Sequence, residues 1–255
     1  MRRLKPIAPE EELNLVEHLD ELRARIIVSI AVFGVALALC FWQNHLLLEL
    51  ANGPLPSNHD QLITFGVTEP FTTTMTVAAY GAIILALPVL LYELFAFLLP
   101  AFGKQQQRAI LPLVLLMPAL FIAGIVFGYF VVLPAATKFL LGFNEAQFNI
   151  QLRAKDYYGF FAQTLLACGV VFQVPVAILS VTRLGIVTVE QLTKNRRYAY
   201  LVCAVLAAAL PGIDPVSMLL ETAPLVLLYE LSIVLARAFG RPAPTPLADA
   251  AAGSS

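Results

Sequence analysis

Three carboxylates share one side of a short helical segment near the start of the chain, an arrangement suited to binding a basic group. The segment, residues 15–25, reads LVEHLDELRAR. Its apolar residues recur at steps of four, three and four, which is the period of a helix, at Leu15, Leu19, Leu22 and Ile26. Glu17, Asp20 and Glu21 fall on the opposite side, so the helix can lie on a membrane surface or against a partner with its carboxylates toward water.

The acidity of this segment has two interpretations. Glu21 and Arg25 are spaced as an i,i+4 ion pair, and charged amphipathic helices are common beside membrane spans, so the segment can be purely structural. Surface-binding helices, however, usually direct Lys and Arg toward anionic lipid, whereas six acids lie between Glu10 and Glu21. This acidity favours a basic partner.

The composition places the chain among polytopic membrane proteins. Of its 255 residues, 59% are hydrophobic and only 13% are charged, and the mean hydropathy is +0.80. The formal net charge is -1, so the overall charge gives no indication of nucleic-acid binding, and no nucleic-acid partner is predicted.

Sequence motifs for catalysis, metal binding or cofactor binding are absent. Cys40, Cys168 and Cys203 lie in apolar runs without a CxxC spacing, so we predict that they are small core residues. The three histidines lie outside the predicted spans, and the sequence has neither an HExxH motif nor a Walker loop. We therefore predict that the protein is not an enzyme and has no metal or cofactor.

Apolar runs predict six transmembrane helices. Their ranges are 26–42, 73–91, 109–133, 160–181, 198–210 and 218–235. The predicted organisation is a cytoplasmic segment with the amphipathic helix at 1–25, a six-helix transmembrane domain at 26–236 and a disordered cytoplasmic tail at 237–255. Thirteen of the sixteen Lys and Arg residues lie in the two terminal segments or in the second and fourth loops, so both termini are predicted to be cytoplasmic.

Two features of the predicted spans are unusual. Prolines interrupt them at Pro88, Pro112, Pro118, Pro134, Pro175 and Pro224. Because each proline removes a backbone donor and tends to bend its helix, we expect kinked helices arranged around a concave face, although ordinary transmembrane helices also tolerate proline. The fifth span has only thirteen residues, about 20 Å against a hydrocarbon core of about 30 Å, so the bilayer should be thin beside spans five and six.

Few polar side chains lie inside the predicted spans. Gln163 and Gln173 belong to span four, and Glu221 and Glu230 to span six. A charged residue at the centre of a bilayer costs about 2.5 to 3.5 kcal/mol on insertion scales, so both glutamates are candidates for a functional role. Glu230 lies near the cytoplasmic end and close to Arg237, where its side chain can reach the interface, so a structural role is also open for it.

Several motifs, in their order along the chain, resemble the TatC family, the multi-spanning receptor and core subunits of the twin-arginine protein translocase. The matching features are the N-terminal ExLxELRxR element (Glu17 to Arg25), the first-loop GPL (Pro54), FAFLLPAFGK (Phe97, Pro100 and Lys104), FGYFVVLP (Tyr129 to Pro134), VPVAI in span four and the outer-turn Asp214. Together they extend over nearly the whole chain.

This resemblance implies a subunit that binds the paired arginines of export signals on folded proteins and assembles with single-span TatA- or TatB-type subunits. The complex is expected to use the proton-motive force, to contain this chain as a homo-oligomer and to lie among the lipids of the bacterial cytoplasmic (inner) membrane. Carboxylates suit the signal site because they bind the planar guanidinium fork bidentately. The residues implied for this site are Glu21, Glu17, Leu22, Arg23, Phe97, Pro100 and Gln106.

Three residues depart from the pattern of the family. Gln106 stands in the first cytoplasmic loop where the family commonly has Glu, so it can accept a hydrogen bond but contributes no charge. Gln173 stands where an acid often occurs in span four, and it is expected to be a polar group on the concave face. Met218 replaces a polar residue in the partner-binding region of span six.

Two further surfaces are predicted. At the corner of spans five and six, Met218, Glu221 and Leu225 are expected to dock a partner helix whose polar residue satisfies Glu221. Pro54 and Asp214 are expected to have structural or functional roles on the periplasmic side. A small-molecule secondary transporter or a structural membrane assembly factor is the alternative function.

Overall fold

The computed structural model of the chain describes residues 15–56, 62–98, 104–143, 147, 150–183, 186–209 and 215–239. Its helices are α1 (Leu15–Trp42), α2 (Asn44–Asn52), α3 (Glu69–Leu98), α4 (Lys104–Phe127), α5 (Leu133–Gly142), α6 (Ala154–Val171), α7 (Val174–Arg183), α8 (Val189–Lys194), α9 (Arg196–Ala209) and α10 (Pro215–Phe239). A π-helical turn, Gly128–Val132, joins α4 to α5. Apart from one isolated β-bridge, these described residues form no strand, which confirms the predicted all-α class.

The first helix, α1, contains both the acidic segment and the first predicted span. It continues over 28 residues from Leu15 to Trp42. A separate amphipathic helix before the span is therefore not confirmed. The change from charged to apolar residues predicted a boundary near Arg25, but the residues around it include no Gly or Pro that would end a helix there. The acidic residues thus lie in the first turns of a membrane-length helix.

Five helical segments of the described chain are long and apolar enough to cross a membrane. They are His18–Trp42, Glu69–Phe97, Leu116–Gly142, Ala154–Arg183 and Met218–Arg237. These segments correspond to the predicted spans one, two, three, four and six. The predicted fifth span is α9, whose 14 residues are about 21 Å long, which is shorter than a hydrocarbon core of about 30 Å. A sixth span is therefore not confirmed.

Two predicted proline kinks coincide with interrupted helices. The turn between α6 and α7 is followed by Pro175, the second residue of α7. The π-helical turn ends just before Pro134, which lies in the first turn of α5. Pro88 and Pro224 instead lie inside the helices α3 and α10, which continue past them.

Small residues allow α1 and α3 to pack closely as antiparallel helices. Ala78, Ala82 and Ala86 recur every four residues on one face of α3, and all three are fully buried against α1. The register of this packing brings the start of α1 beside the end of α3, where Arg25 contacts Glu93.

The remaining helices pack around α6 and α10. α6 contacts both α3 and α4, and α10 contacts both α7 and α9. At Gly124 of α4, a Cβ atom would lie 2.6 Å from the carbonyl oxygen of Cys168, so α4 and α6 approach each other at a distance that only glycine allows.

Tyrosine hydroxyls hold the C-terminal end of the short helix α2. The last carbonyls of a helix have no partner within it. Tyr129 donates to the carbonyl oxygen of Leu50 at 3.1 Å, and Tyr157 donates to that of Ala51 at 2.6 Å. Because Tyr129 belongs to the π-helical turn and Tyr157 to α6, these bonds fasten α2 to the helices of spans three and four.

Candidate functional site

An arginine of α1 bridges glutamates from two helices, and we name Glu21, Arg25 and Glu93 the arginine triad. Arg25 donates to Glu21 Oε1 from Nη2 at 2.5 Å and from Nε at 3.2 Å. Its Nη1 donates to Glu93 Oε2 of α3 at 2.8 Å. The side chains of Glu21 and Arg25 are each 24% exposed and that of Glu93 is 17% exposed, so solvent reaches the triad.

The triad contains one predicted pair and one residue that the sequence prediction missed. Glu21 and Arg25 form the i,i+4 pair that their spacing predicts. Glu93 escapes prediction because it lies in YELFAFLLP, the mostly apolar continuation of span two. An acid inside such a run is costly unless it is paired or reaches water, and this signal would have found it.

Three other residues predicted for the signal site, Leu22, Arg23 and Phe97, lie near the triad. His18 stacks on Phe97 with ring centroids 4.3 Å apart and an interplanar angle of 15°. His18 precedes Glu21 by about one turn of α1, and Phe97 follows Glu93 by about one turn of α3, so the stacked pair lies next to the triad. Leu22 is half-buried, and Arg23 is exposed.

Four predicted residues lie wholly or partly outside the described structure. Pro100 and Asp214 belong to ranges outside the described residues. The backbones of Glu17 and Gln106 belong to α1 and α4, but their side chains are outside the described part. The roles predicted for these four residues stay predictions.

A second glutamate–arginine pair lies at the opposite end of α3, and we name Phe65, Gly66, Glu69 and Arg153 the Glu69 cluster. Arg153 donates to Glu69 Oε1 from Nε at 2.7 Å and to Oε2 from Nη2 at 3.3 Å. The backbone N–H groups of Phe65 and Gly66 donate to Glu69 Oε2 at 2.9 and 3.3 Å. The Glu69 side chain is only 6% exposed, so its carboxylate is enclosed by donors.

The Glu69 cluster joins the segment before α3 to the segment before α6. Ile63 and Arg153 form the isolated β-bridge, and the Arg153 guanidinium lies 5.6 Å from the centroid of the Phe65 ring. The hydrogen bond to Glu69 raises the pKa of the Arg153 guanidinium above its ordinary value, although partial burial acts in the opposite direction. These contacts indicate a structural role.

Pro54, predicted to have a structural or functional role on the periplasmic side, lies at the same end of the molecule as the Glu69 cluster. It is half-buried, and its carbonyl oxygen accepts a hydrogen bond from Thr137 Oγ1 at 3.2 Å. A Cβ atom at the preceding residue, Gly53, would overlap the hydroxyl of Tyr129. The loop after α2 is therefore in close contact with the π-helical turn and α5.

The polar candidates inside the spans have different surroundings. Gln173 is half-buried in the turn between α6 and α7, and its Nε2 donates to the carbonyl oxygen of Met117 at 3.3 Å. Glu221 is 3% exposed and lines a small pocket with room for about one water molecule. The other residues of this pocket are Phe127, Cys168, Val171, Phe172 and Pro224. Glu221 therefore faces α4 and α6 of its own chain.

The predicted docking corner is mostly buried within the chain. Met218 is 37% exposed, but Leu225 is fully buried and Glu221 nearly so. A partner helix would reach these two buried side chains only if α10 moved away from its neighbours, because they pack inside the helix bundle. The apolar residues exposed nearby are Leu201, Val202, Val205, Leu206, Leu219 and Leu227.

Glu230, for which both a functional and a structural role were open, connects α9 to α10. It accepts a hydrogen bond from the Tyr200 hydroxyl and pairs with Arg196 Nη2 at 2.8 Å. These contacts support the structural role. The Glu230 side chain, however, pairs with Arg196 instead of reaching toward the interface near Arg237.

Comparisons with known proteins agree with this architecture. A family model described as "Sec-independent protein translocase protein (TatC)" matches residues 17–224. The TatC proteins of Desulforapulum autotrophicum and Carboxydothermus hydrogenoformans, both described as Sec-independent protein translocase proteins, are similar to this chain. The first is 37% identical over 235 residues, which are 91% of this chain and 87% of that protein, and the second is 36% identical over 229 residues, which are 89% and 94%. A solved structure, "Crystal Structure of Twin Arginine Translocase Receptor- TatC in DDM", matches with a TM-score of 0.77 and 34% identity, covering 89% of this chain and 100% of that one.

Proposed function

Because this chain belongs to the TatC family and is thus a multi-pass subunit of the Sec-independent protein translocase, we propose that it is the subunit that binds the twin-arginine signal peptides of folded cargo proteins. It then scaffolds the complex through which the cargo crosses the membrane, driven by the proton-motive force.

The observation that carries this proposal is the binding of a guanidinium group by Glu21 in the arginine triad. Glu21 is partly exposed and already accepts two hydrogen bonds from Arg25. A carboxylate in this position can bind the planar fork of a signal arginine, and such charge-assisted bonds are about twice as strong as neutral ones. The residues that complete the proposed site are Glu17, Leu22, Arg23, Phe97, Pro100 and Gln106.

The proposed topology has six spans in the bacterial cytoplasmic membrane, with α9 as a short fifth span and both termini in the cytoplasm. Two facts support it. Most basic residues lie in the two terminal segments and in the second and fourth predicted loops, which six spans place on one side of the membrane. The helix α9 is also mostly apolar, although it is short. The arginine triad then lies on the cytoplasmic side, from which export signals arrive.

Cysteine labelling in intact cells tests this topology. Ser57→Cys and Asn144→Cys are expected to react from outside, whereas Lys104→Cys and Lys194→Cys react only after lysis. The native cysteines are buried, so their background labelling should be low. Labelling of Lys104→Cys from outside would contradict the six-span topology.

Beyond the arginine pair, the apolar part of the signal is proposed to enter the concave face of the kinked helices beside α6 and α7. The half-buried amide of Gln173 lies in the turn between these two helices and supplies a polar group there.

Single-span partner subunits of the TatA or TatB type are proposed to dock on the exposed apolar face of α9 and α10, next to Met218. The exposure of this face and the short length of α9 support its assignment as the docking surface. Glu221 and Leu225 are buried beneath this face. Pro54 and Asp214 are proposed to have structural or functional roles on the periplasmic side, and several copies of the chain are expected in one complex.

The test of the proposed function is capture of a signal peptide by the purified chain. A peptide with the Arg-Arg pair should bind, and the same peptide with Lys-Lys should bind more weakly, because an ammonium group cannot make the planar bidentate contact. Equal capture of both peptides would contradict a guanidinium-binding site.

A further inference from the structure

The arginine triad contains a second carboxylate that no motif indicates. Glu93 comes from α3, whereas Glu21 and Arg25 come from α1, so the triad lies where two helices meet. Its two carboxylates and one guanidinium carry a formal charge of -1. Such a site attracts a further cation.

One guanidinium does not use all of the acceptors in the triad. Arg25 binds Oε1 of Glu21 and Oε2 of Glu93. Within the described residues, Glu21 Oε2 and Glu93 Oε1 accept no hydrogen bond, whereas each arginine has five N–H donors. Two guanidinium groups from one peptide therefore offer better pairing for the two carboxylates than Arg25 alone.

The contacts of Arg25 are also of a kind that can exchange. All three side chains are between 17% and 24% exposed, and ion pairs that reach solvent contribute little net stability because water competes for both partners. A signal arginine that displaces Arg25 brings another guanidinium group. Each carboxylate therefore exchanges one arginine for another and is not left without a partner.

The aromatic pair beside the triad adds a surface for a guanidinium group. Phe97 follows Glu93 by one helical turn and stacks on His18, which precedes Glu21 by one turn. An arginine bound to Glu93 would lie within reach of this aromatic face, and guanidinium groups favour such stacking.

We propose that Glu93 is the second carboxylate of the signal site and determines its preference for paired arginines, and that Arg25 occupies the position which a signal arginine takes on binding. This inference rests on the proposed signal-binding function. It assigns to Glu93 the charge that Gln106 does not provide.

The test is the affinity of the purified full-length protein for a fluorescent Arg-Arg signal peptide. Glu93→Gln keeps the size of the side chain and removes its charge, so we expect Kd to rise about tenfold or more, as for loss of a charge-assisted hydrogen bond. Glu190→Gln, a charge-matched change at an exposed glutamate of α8, should leave Kd unchanged.

A second variant separates binding from support of the fold. Arg25→Gln removes the internal guanidinium and leaves both carboxylates in place, so Kd for the Arg-Arg peptide should fall severalfold. If Arg25 and Glu93 only hold α1 against α3, Arg25→Gln would weaken binding instead, and that result would overturn the proposal.

The failure of this inference differs from failure of the proposed function. If Glu21→Gln raises Kd while Glu93→Gln behaves like Glu190→Gln, the signal site stands but Glu93 does not belong to it. If neither glutamate matters and a Lys-Lys peptide binds equally well, the proposed signal site fails as a whole, and this inference fails with it.

Discussion

Helix α3 carries a glutamate near each of its ends, and each glutamate binds an arginine from another part of the chain. Glu69 and Glu93 are about 36 Å apart along the helix. Glu69 accepts hydrogen bonds from Arg153 and from two backbone N–H groups, and it is 6% exposed. Within the described residues, Glu93 accepts one hydrogen bond, from Arg25, and it is 17% exposed. The same residue types thus form an enclosed contact at one end and an open contact at the other.

This difference teaches that the surroundings of a glutamate–arginine pair decide its role. A carboxylate enclosed by backbone donors cannot release its arginine without losing the loop that supplies those donors. A carboxylate that shares one arginine with a neighbour and reaches water can exchange it for another cation. We therefore expect substitutions in the Glu69 cluster to lower stability and substitutions of the two triad glutamates, Glu21 and Glu93, to lower signal affinity.

The largest effect on stability is expected for Glu69→Ala. This change removes the acceptor for Arg153 and for the backbone N–H groups of Phe65 and Gly66 together. Loss of a buried acceptor leaves its donors unpaired, so Tm of the detergent-solubilised protein should fall by several degrees.

Glu49→Ala is the matched control, because Glu49 is an exposed glutamate of the neighbouring helix α2. Its Tm should match that of the parent. If Glu69→Ala is as stable as Glu49→Ala, the enclosed pair at Glu69 does not stabilise the fold, and the proposed difference between the two ends of α3 is wrong.

At the open end, Glu21→Ala should lower signal affinity with little change in Tm. A charge-assisted hydrogen bond contributes about 1.5 to 3 kcal/mol, which corresponds to a rise in Kd of about 10- to 150-fold for an Arg-Arg peptide. Because Glu17 lies one turn away on α1 and offers another carboxylate, the double substitution of Glu17 and Glu21 should cost more than Glu21→Ala alone. Parental affinity in the double variant would show that the recognition site lies elsewhere.

A smaller effect is expected for Tyr157→Phe at the enclosed end. The Tyr157 hydroxyl donates to the buried carbonyl of Ala51, so its removal should cost about 1 to 2 kcal/mol of stability. Tyr129→Phe is the control, since the carbonyl that Tyr129 binds, at Leu50, belongs to an exposed residue where water can replace the hydroxyl. Thermal unfolding should rank Tyr157→Phe below Tyr129→Phe, and signal affinity should be the same for both. A reversed ranking of Tm would contradict the assignment of the buried bond.

Much of the fold could be predicted from the sequence because long apolar runs determine where spans lie. Five helical segments overlap five of the six runs, although the third segment ends at Gly142 rather than near Leu133, and the break before Pro175 agrees with the proline pattern. The boundary predicted near Arg25 was not confirmed, because the composition changes there without a Gly or Pro that would end the helix. Local patterns indicate elements well but indicate poorly whether two adjacent elements form one helix.

The candidate site was predictable only where its contacts are local. Glu21 and Arg25 are one turn apart, so their pairing follows from spacing. Arg25 and Glu93 are 68 positions apart and meet only because small residues set the register of α1 against α3. The burial of Glu221 and Leu225 likewise depends on which face of α10 meets its neighbours, and a mostly apolar helix has no distinct polar side that would reveal it.

The smallest effect is expected at Gln106, where this chain departs from the acid common in the TatC family. If Gln106 makes a neutral hydrogen bond to a signal arginine, Gln106→Ala should cost about 1 kcal/mol, or about a fivefold rise in Kd, which is less than for Glu21→Ala. Gln106→Glu should tighten binding, and added salt should weaken this variant more steeply than the parent, because an exposed ion pair is screened. A titration of Kd against salt for the two proteins measures that difference. If Gln106→Glu binds no more tightly than the parent at low salt, the signal arginines do not approach α4, and recognition rests on α1 and α3 alone.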